Sequence, residues 1–281
     1  MKHIVITGVS TGIGFATAAE LLRRGYHVLG SVRKAGDAQR LQLEFGEAFT
    51  PLLFDVTDGQ AIGTAVEQVQ EIVGERGLYA LINNAGIVIP GPLSVTPLED
   101  FQAQFEVNVF GLLDVTQRFL PLLGARKNVP TPPGRVINIS SVSGKIAYPF
   151  MGAYAASKHA LEALSDSLRR ELMLYGVDVI VIEPGTTRTP IKDKYKEQIQ
   201  RYAQTDYGTL FANLEAQLAE RERTGLPVEQ VVEAICKALE NKHPKTRYAV
   251  PRKRLTGWLI PRWLPDRWLD RLSASQLGIT R

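Results

Sequence analysis

Seven short apolar runs alternate with longer stretches of helical periodicity along this chain, and this alternation constrains the fold more than any other feature. Several runs are apolar on both faces, which is typical of strands that lie between two layers of helices. Repeated strand, helix, strand units place parallel strands side by side in one sheet. The predicted strands are residues 4–7, 26–31, 49–54, 79–83, 135–140, 177–182 and 247–250.

The domain organisation follows from length and composition. With 281 residues, of which 44% are hydrophobic, the chain can bury the core of one large domain. We expect a catalytic domain over residues 1–250, with a polar insertion at 190–226, and a separate tail at 251–281. Gly25 and Gly176 stand where helix C-terminal caps are expected. Residues 96–99 have the spacing of a capping box, with Pro97 at the first helical position.

The turn after the first strand is rich in glycine and opens the first helix. Glycines there allow a tight turn and let the backbone approach a pyrophosphate, which the helix N-terminus attracts. The spacing is G-x-x-x-G-x-G, which differs from the G-x-G-x-x-G fingerprint. We therefore predict a Rossmann-type doubly wound sheet that binds a dinucleotide, although a purely structural turn stays an alternative. The candidate contacts in this turn are Gly8, Ser10, Thr11, Gly12, Ile13 and Gly14.

The end of the second strand bears on the choice of cofactor. An acidic residue there bonds the ribose hydroxyls of NAD, whereas arginine accommodates the 2′-phosphate of NADP. Here the strand ends in Arg33 and Lys34 without an acid, and Asp37 lies too far along the chain. The sequence therefore favours NADP(H) over NAD(H), with the hydroxyls of Ser31 and Thr11 nearby. The alternative is that Arg33 and Lys34 only solvate a loop.

Polar or small residues follow three further strands at the edge where ligands bind in such sheets. Asp55 and Val56 follow the third strand, where the carboxylate either accepts from the adenine amino group or caps the next turn. Residues 83–86 follow the fourth strand, and their small side chains let the backbone lie along a cofactor. Ser141 follows the fifth strand. The candidate cofactor contacts in the fourth-strand segment are Asn83, Ala85 and Gly86.

Tyr154 and Lys158 lie four residues apart at the start of a long helical pattern, so both face the same side of a helix. A phenol has an unperturbed pKa of about 10, and a neighbouring cation lowers it by favouring the phenolate. Such a pair can move a proton to or from an alcohol or ketone oxygen near neutral pH. Ser141 lies thirteen residues before Tyr154, which is close enough to share one site.

The ordered set of motifs resembles the short-chain dehydrogenase/reductase family over residues 1–190, and more loosely over 227–250. The post-190 insertion and the basic tail look most similar to the hydroxysteroid and retinol dehydrogenase branch. The motifs that carry the resemblance are Thr7-Gly8-x-x-x-Gly12-Ile13-Gly14, Asn83-Asn84-Ala85-Gly86, Asn108, Ser141, Tyr154-x-x-x-Lys158 and Pro184-Gly185-x-x-x-Thr189.

The resemblance implies a role for each matching residue. Tyr154 would be the general acid/base, and Ser141 would bond the substrate oxygen. Lys158 would hold the nicotinamide ribose and lower the pKa of Tyr154. Asn108 would hold a water that links Lys158 to solvent, unless it is bonded only within its own helix bundle. The residues that would hold the nicotinamide carboxamide and the phosphates are Pro184, Gly185, Thr187 and Thr189.

Other chemistries are disfavoured. We predict no metal, because no cluster of His, Cys and carboxylate residues has the spacing of a zinc site. Ser141 lies in no G-x-S-x-G motif, which argues against a serine hydrolase. His159 is read as structural or exposed to solvent. A single cysteine, Cys236, indicates a reducing compartment, and an N-terminus that enters a strand at once indicates a cytoplasmic protein.

The insertion at 190–226 would fold over the nicotinamide end as a lid. Phe150 and Met151 either line the same pocket or belong to the ordinary core. We therefore expect a lipophilic small-molecule substrate for this enzyme. The expected apolar contacts of the lid are Tyr195, Tyr202, Tyr207, Leu210, Phe211 and Leu214.

The tail carries seven Lys and Arg against two Asp, whereas the remaining chain is close to neutral. A neutral body argues against a nucleic-acid partner. The tail contains all three tryptophans, Trp258, Trp263 and Trp268, and basic segments rich in tryptophan suit a membrane interface. The alternatives are that the tail packs beside the lid or on a second subunit. We expect a homodimer or homotetramer.

The sequence thus predicts an NAD(P)-dependent oxidoreductase that interconverts an alcohol and a carbonyl compound. Three alternatives stay open: an NAD-dependent dehydrogenase of a small alcohol, a cofactor-binding regulator without activity, and a membrane-associated interaction protein.

Overall fold

The computed structural model describes residues 1–188, 201–211 and 224–279, and its centre is one sheet of seven strands. All strand pairs are parallel, as the alternating pattern predicts, and the predicted ends are correct to within two residues. The strands are β1 His3–Ile6, β2 His27–Val32, β3 Phe49–Leu53, β4 Ala80–Asn83, β5 Arg135–Ile139, β6 Asp178–Pro184 and β7 Arg247–Val250.

Helices cover both faces of the sheet, and each face has its own apolar core. Side chains of α1, α2 and α7 fill one core, whereas α3, α5 and the end of α6 fill the other. This arrangement confirms the doubly wound fold. The helices are α1 Gly12–Arg23, α2 Ala35–Phe45, α3 Gly59–Val73, α4 Leu98–Phe105, α5 Leu112–Phe119, α6 Gly152–Glu171, α7 Val228–Glu240, α8 Ile260–Trp263 and α9 Asp266–Leu277.

The strand order is β3-β2-β1-β4-β5-β6-β7, so the chain changes direction across the sheet between β1 and β4. Ligands of open α/β sheets bind at this point, outside the carboxyl ends of the strands. The turn after β1 and the segment after β4 meet there. The segment after β5 reaches the same edge, and α6 begins beside it.

The helical region between β4 and β5 is not one continuous α-helix. A π-helical segment, Glu106–Gly111, separates α4 from α5. Gly111 allows the close approach of this segment to Val56, because a Cβ on Gly111 would meet the Val56 carbonyl oxygen. The predicted capping box is wrong: Pro97 is the N-cap of α4, and the Thr96 hydroxyl donates to the Pro92 carbonyl oxygen instead.

Candidate active site

The glycine-rich turn has the geometry of a phosphate cradle. Gly8 and Gly12 adopt φ angles of 70° and 64°, a region that favours glycine. The first turn of α1 contains no acidic residue, and the Thr11 side chain makes no capping bond. The N–H groups at this helix start are therefore suited to an anionic group. Ser10 and Thr11 border the turn, and Ile13 packs against the core below it.

Hydrogen bonds fix this turn to the end of β4. The Thr7 hydroxyl accepts from the backbone N–H groups of Asn84 and Ala85, each at 2.9 Å. The Asn84 amide group donates to the carbonyl oxygens of Thr7 and Gly8, also at 2.9 Å. A side chain at Gly14 would collide with Gly8 and Asn84. The turn and the β4 end therefore form one rigid unit that fits a dinucleotide.

The end of β2 presents basic side chains beside this unit. Arg33 and Lys34 are exposed, and Arg33 lies 3.7 Å from an oxygen of Asp55. The other Asp55 oxygen accepts from the N–H and the hydroxyl of Thr57, so Asp55 closes its own turn. The Ser31 hydroxyl accepts from the Gly8 N–H at 3.0 Å and thus holds the turn. Val56 is buried.

Arg40 is a residue of this region that the sequence reasoning missed. It lies on α2, and its guanidinium donates to the Ser10 carbonyl oxygen at 2.9 Å. A cleft of about 830 Å³ opens beside this contact, between α1 and α7. The helical spacing of α2 places Asp37, Arg40 and Glu44 on one face, but nothing local indicates that this face meets the turn.

Ser141 and Tyr154 meet at the carboxyl edge of the sheet. Ser141 caps the short 3₁₀ turn after β5, where its oxygen accepts from the Ser143 N–H at 3.1 Å. Its hydroxyl lies 3.5 Å from the Pro184 carbonyl oxygen and beside the Tyr154 hydroxyl. Burial raises the pKa of Tyr154, and the neighbouring Ser141 hydroxyl offsets part of that increase. The phenol is therefore protonated at neutral pH.

Lys158 lies one turn beyond Tyr154 on α6, with its nitrogen 5.8 Å from the centre of the tyrosine ring. The ammonium group donates to the Ile139 carbonyl oxygen at 2.8 Å. Burial lowers the pKa of Lys158 to about 8, while the charge of Glu162 acts in the opposite direction. The sequence prediction that Lys158 lowers the pKa of Tyr154 is not realised in this structure, in which burial dominates.

Asn108 lies in the π-helical segment and joins three parts of the site. Its side-chain oxygen accepts from the Ile87 N–H at 2.9 Å, and its amide group donates to the Ile87 carbonyl oxygen. The same amide group donates to the Ser157 hydroxyl at 3.1 Å, next to Lys158. Gly86 leaves room for the Asn108 side-chain oxygen, because a Cβ at residue 86 would lie only 3.2 Å from that oxygen.

Asn83 differs from the predicted cofactor contact, because its side chain points into the interior. Its amide group donates to the Thr116 hydroxyl at 2.8 Å and to the Asn138 oxygen at 2.9 Å. Asn138 in turn donates to the Ser165 hydroxyl at 2.9 Å. We define these four residues as the interior polar chain. The structure therefore leaves only the backbone of Asn83 near the cofactor edge.

The segment after β6 completes the edge. The Gly185 N–H donates to the Val250 carbonyl oxygen, and the Thr187 hydroxyl donates to the Gly185 carbonyl oxygen. Pro184 is the last residue of β6 and provides the carbonyl near Ser141. Thr189 lies outside the described residues.

An aromatic cluster borders the site above the start of α6. Phe150 is buried with a φ angle of 65°, which a bulky residue rarely adopts. Its ring lies 4.7 Å from the ring of Phe211 and 5.9 Å from that of Tyr207, centre to centre. Tyr202 and Leu277 complete the aromatic cluster, and Leu210 packs against it. Of the other expected contacts, Tyr195 and Leu214 lie outside the described residues, and Met151 is half-buried.

Part of the tail packs against the aromatic cluster, whereas two of its tryptophans are exposed. Leu277, at the end of α9, packs into the aromatic cluster, and Trp258 is buried beneath the Arg262 guanidinium. Trp263 and Trp268, in contrast, are 85% and 64% exposed. The tail thus packs beside the expected lid and still presents two tryptophans outward.

Neither a metal site nor a membrane-spanning helix occurs among the described residues. No group of three or more His, Cys, Asp and Glu side chains within them could hold a metal ion. No helix within the same part of the chain combines the length and the apolar character needed to cross a bilayer. His159 is exposed, with one ring nitrogen 2.8 Å from the Ala155 carbonyl oxygen.

Fold and site together define a nicotinamide-dependent oxidoreductase of the Rossmann type. The sequence model for the short chain dehydrogenases matches residues 2–200. The chain belongs to the short-chain dehydrogenase/reductase family, an enzyme family that uses NAD(P). Its fold matches a solved short-chain dehydrogenase from Streptomyces avermitilis with a TM-score of 0.73 and 26% identity, over 99% of this chain and 96% of that one.

Curated relatives support the expected branch of the family. The NADPH-dependent 3-dehydrocapnine reductase of Ornithobacterium rhinotracheale is 45% identical over 97% of this chain and 96% of its own length. Retinol dehydrogenase 16 of Mus musculus is 34% identical over 96% of this chain and 87% of its own length. The resemblance to the retinol dehydrogenase branch is thereby confirmed.

Proposed function

We propose that the protein reduces the ketone of a lipophilic small molecule to a secondary alcohol, with NADPH as the reductant. The observation that carries this proposal is the juxtaposition of Ser141 and Tyr154, one helical turn from Lys158, with an aromatic cluster just before the start of α6. The 45% identical relative is named as an NADPH-dependent reductase of a 3-dehydro compound, which favours the direction of reduction.

Four residues of the chain have separate roles in the proposed carbonyl reduction. The bound nicotinamide supplies the hydride. Tyr154, protonated at neutral pH, donates its proton to the carbonyl oxygen as negative charge develops there. The Ser141 hydroxyl donates a second hydrogen bond to that oxygen. Lys158 provides a positive charge on the same helix face, and Asn108 anchors that face through Ser157.

The cofactor preference rests on the end of β2. Arg33 and Lys34 stand where an acid would select NAD, and both side chains are exposed toward solvent. Arg40 adds a third positive charge within reach of the glycine-rich turn. We assign the 2′-phosphate of NADP(H) to this basic group. Asp55 then acts as the partner of Arg33 and the cap of its own turn.

The aromatic cluster supports a lipophilic substrate. Three segments meet at this cluster: loop 87–96, the residues before α6 and the described part of the lid. The Gly91 N–H donates to the Phe150 carbonyl oxygen, and the Ser94 hydroxyl donates to the Tyr207 hydroxyl. An ion pair between Arg201 and Asp100, at 2.9 Å, holds the lid against α4. The aromatic cluster is mostly apolar, and a surface of this kind suits a hydrocarbon chain or ring system.

A Tyr154→Phe variant tests the proposed reaction. NADPH oxidation should be measured with a series of ketones of increasing chain length, and with retinal. We expect turnover to fall by at least about 10²-fold, as loss of a general acid does, while NADPH binding by fluorescence is unchanged. Full activity in the variant contradicts the role of Tyr154. An inactive native protein that binds NADPH favours the regulator, and selective oxidation of alcohols with NAD favours the alternative dehydrogenase.

Two exposed tryptophans support peripheral contact of the tail with a membrane that contains anionic lipid. Trp263 and Trp268 stand among basic residues and are not covered by described residues. A Trp263→Ser, Trp268→Ser double variant should lose flotation with phosphatidylserine vesicles and keep its activity on a soluble ketone. Flotation equal to that of the native protein excludes this contact. The predicted homodimer or homotetramer is tested by the mass in solution.

A further inference from the structure

Behind the proposed active site lies a group of charges, two of them buried and three partly buried, that the reaction described above does not use. Glu162, on α6, has a side chain that is 4% exposed. One of its oxygens lies 3.0 Å from the Lys145 ammonium and 2.9 Å from the Arg247 guanidinium. Arg247 also lies 2.9 Å from Asp166 and 3.5 Å from Glu183. We call these five residues the buried ion cluster.

The buried ion cluster lies next to the three elements that carry Ser141, Tyr154, Lys158 and Pro184. Glu162 lies one helical turn beyond Lys158, on the same face of α6. Lys145 directly follows the 3₁₀ turn that Ser141 caps. Glu183 precedes Pro184, whose carbonyl oxygen lies near the Ser141 hydroxyl. Glu162 therefore connects the helix of the general acid to the loop of the hydroxyl donor.

Stability alone does not account for this arrangement. Buried ion pairs are costly to desolvate, and well-packed apolar residues are often equally stabilising. The Glu162 oxygen that faces neither cation has no hydrogen-bond partner among the described residues. The same holds for the Glu183 oxygen that lies 3.5 Å from Arg247, and for the Ser140 hydroxyl. Each such group carries a further desolvation cost. A charged side chain that lies beside an active site in spite of this desolvation cost is a candidate for a functional role.

We propose that Glu162 is a positioning residue, which holds the Ser141 loop through Lys145 and keeps the Lys158 ammonium in place beside Tyr154. This inference rests on the proposed function of those three site residues. The Glu162 carboxylate accepts from the loop and from β7 with the same oxygen, so one side chain sets the distance between them.

The charge of Glu162 also affects Lys158. Burial lowers the pKa of Lys158 to about 8, and the Glu162 charge opposes that decrease. The charged groups that face Glu162 from other elements are Lys145, Glu183, Arg247 and Arg262, and Asp166 lies on its own helix. Without the Glu162 charge, Lys158 loses its proton at a lower pH. The alkaline limb of the rate profile then moves to lower pH.

The test compares Glu162→Gln, Lys145→Gln and the matched control Asp166→Asn, which changes a carboxylate of the same cluster one turn further along α6. Ketone reduction should be measured as a function of pH, with kcat expressed per NADPH-binding site so that any unfolded fraction is excluded. We expect kcat of Glu162→Gln to fall by about tenfold or more, as misplacement of a reacting group does. We also expect its alkaline limb at lower pH.

Lys145→Gln separates the two effects, because it removes the contact with the loop and leaves the Glu162 charge. We expect it to lower kcat with little movement of the alkaline limb. A Glu162→Asp variant keeps the charge and should restore the alkaline limb to its native position. Asp166→Asn should match the native protein in both respects.

Amide hydrogen exchange of residues 140–146 in the NADPH complex gives a readout that needs no turnover. We expect faster exchange in Glu162→Gln and Lys145→Gln than in Asp166→Asn. If the native protein reduces no ketone but shows this pattern, the proposed function fails and the positioning role stands. If Glu162→Gln has native kcat, a native alkaline limb and native exchange, the positioning role is overturned.

Discussion

Replacement of Arg33 by alanine should weaken NADPH binding and leave NADH binding unchanged. The expected contact is a hydrogen bond between a guanidinium and a phosphate, and such bonds contribute about 1.5–3 kcal/mol. The Arg33 side chain is 63% exposed and already lies 3.7 Å from Asp55, so water and the carboxylate screen it. The lower end of the range applies, which corresponds to a Kd increase of about tenfold.

The assay is a fluorescence titration of the native protein and the variant with NADPH and NADH at one fixed ionic strength. Arg118→Ala is a matched control, because Arg118 is also exposed and paired with one carboxylate, Asp114, on α5, which carries none of the proposed cofactor contacts. We expect native affinities for both cofactors in this control. The effect of Arg33→Ala on NADPH should also decrease as salt increases, since it depends on an exposed charge.

Arg33→Asp extends the same test. An acid at the end of β2 repels the 2′-phosphate and can accept from both ribose hydroxyls. We expect this variant to bind NADH more tightly than NADPH. Two results would refute the reasoning: tighter binding of NADH by the native protein, or an equal loss of both cofactors in Arg33→Ala.

Three further predictions concern the turn, the buried charges and the pocket. Gly14→Ala should lower the free energy of unfolding by about 2 kcal/mol and abolish NADPH binding, because the new Cβ meets the Gly8 carbonyl oxygen. Gly36 has open space around it, so the control Gly36→Ala should be neutral or stabilising when unfolding is measured in urea. Burial, together with the charge of a neighbouring glutamate, raises the pKa of Glu183 from 4.5 to about 7, so the folded state holds a proton that the unfolded state releases. The native protein therefore loses stability as the pH rises from 4.5 to about 7. Glu183→Gln should be more stable than the native protein at pH 8 by up to about 3 kcal/mol and equal to it near pH 4. Phe150→Leu should raise KM severalfold for a long-chain ketone and leave KM for a short ketone unchanged. An equal change in KM for both ketones would argue that Phe150 does not contact the substrate.

The parts of the site that follow directly from strand ends were predictable from the sequence. Strands that are apolar on both faces identify the sheet, and the carboxyl ends of parallel strands meet at one edge, so Ser141 and the glycine-rich turn had to lie near each other. Arg40 was not predictable, because its contact with Ser10 depends on the angle at which α2 packs. The direction in which the pKa of Tyr154 shifts was not predictable either, since it depends on burial of the phenol, which the spacing to Lys158 does not reveal.

Asn83 shows most clearly how a motif position can act from inside the fold. Asn83 is 2% exposed and belongs to the interior polar chain, which runs along one face of the sheet from α5 over β4 and β5 to α6. Hydrogen bonds in such a network fix the register of β4 and β5 more firmly than apolar contacts alone, because each displacement leaves a buried amide unpaired. The backbone that follows β4 carries Asn84, and the backbone that follows β5 carries Ser141. Asn83, which lies beneath the cofactor edge, therefore sets the distance between the glycine-rich turn and the proposed catalytic hydroxyl of Ser141, although its side chain points away from both the cofactor edge and the substrate.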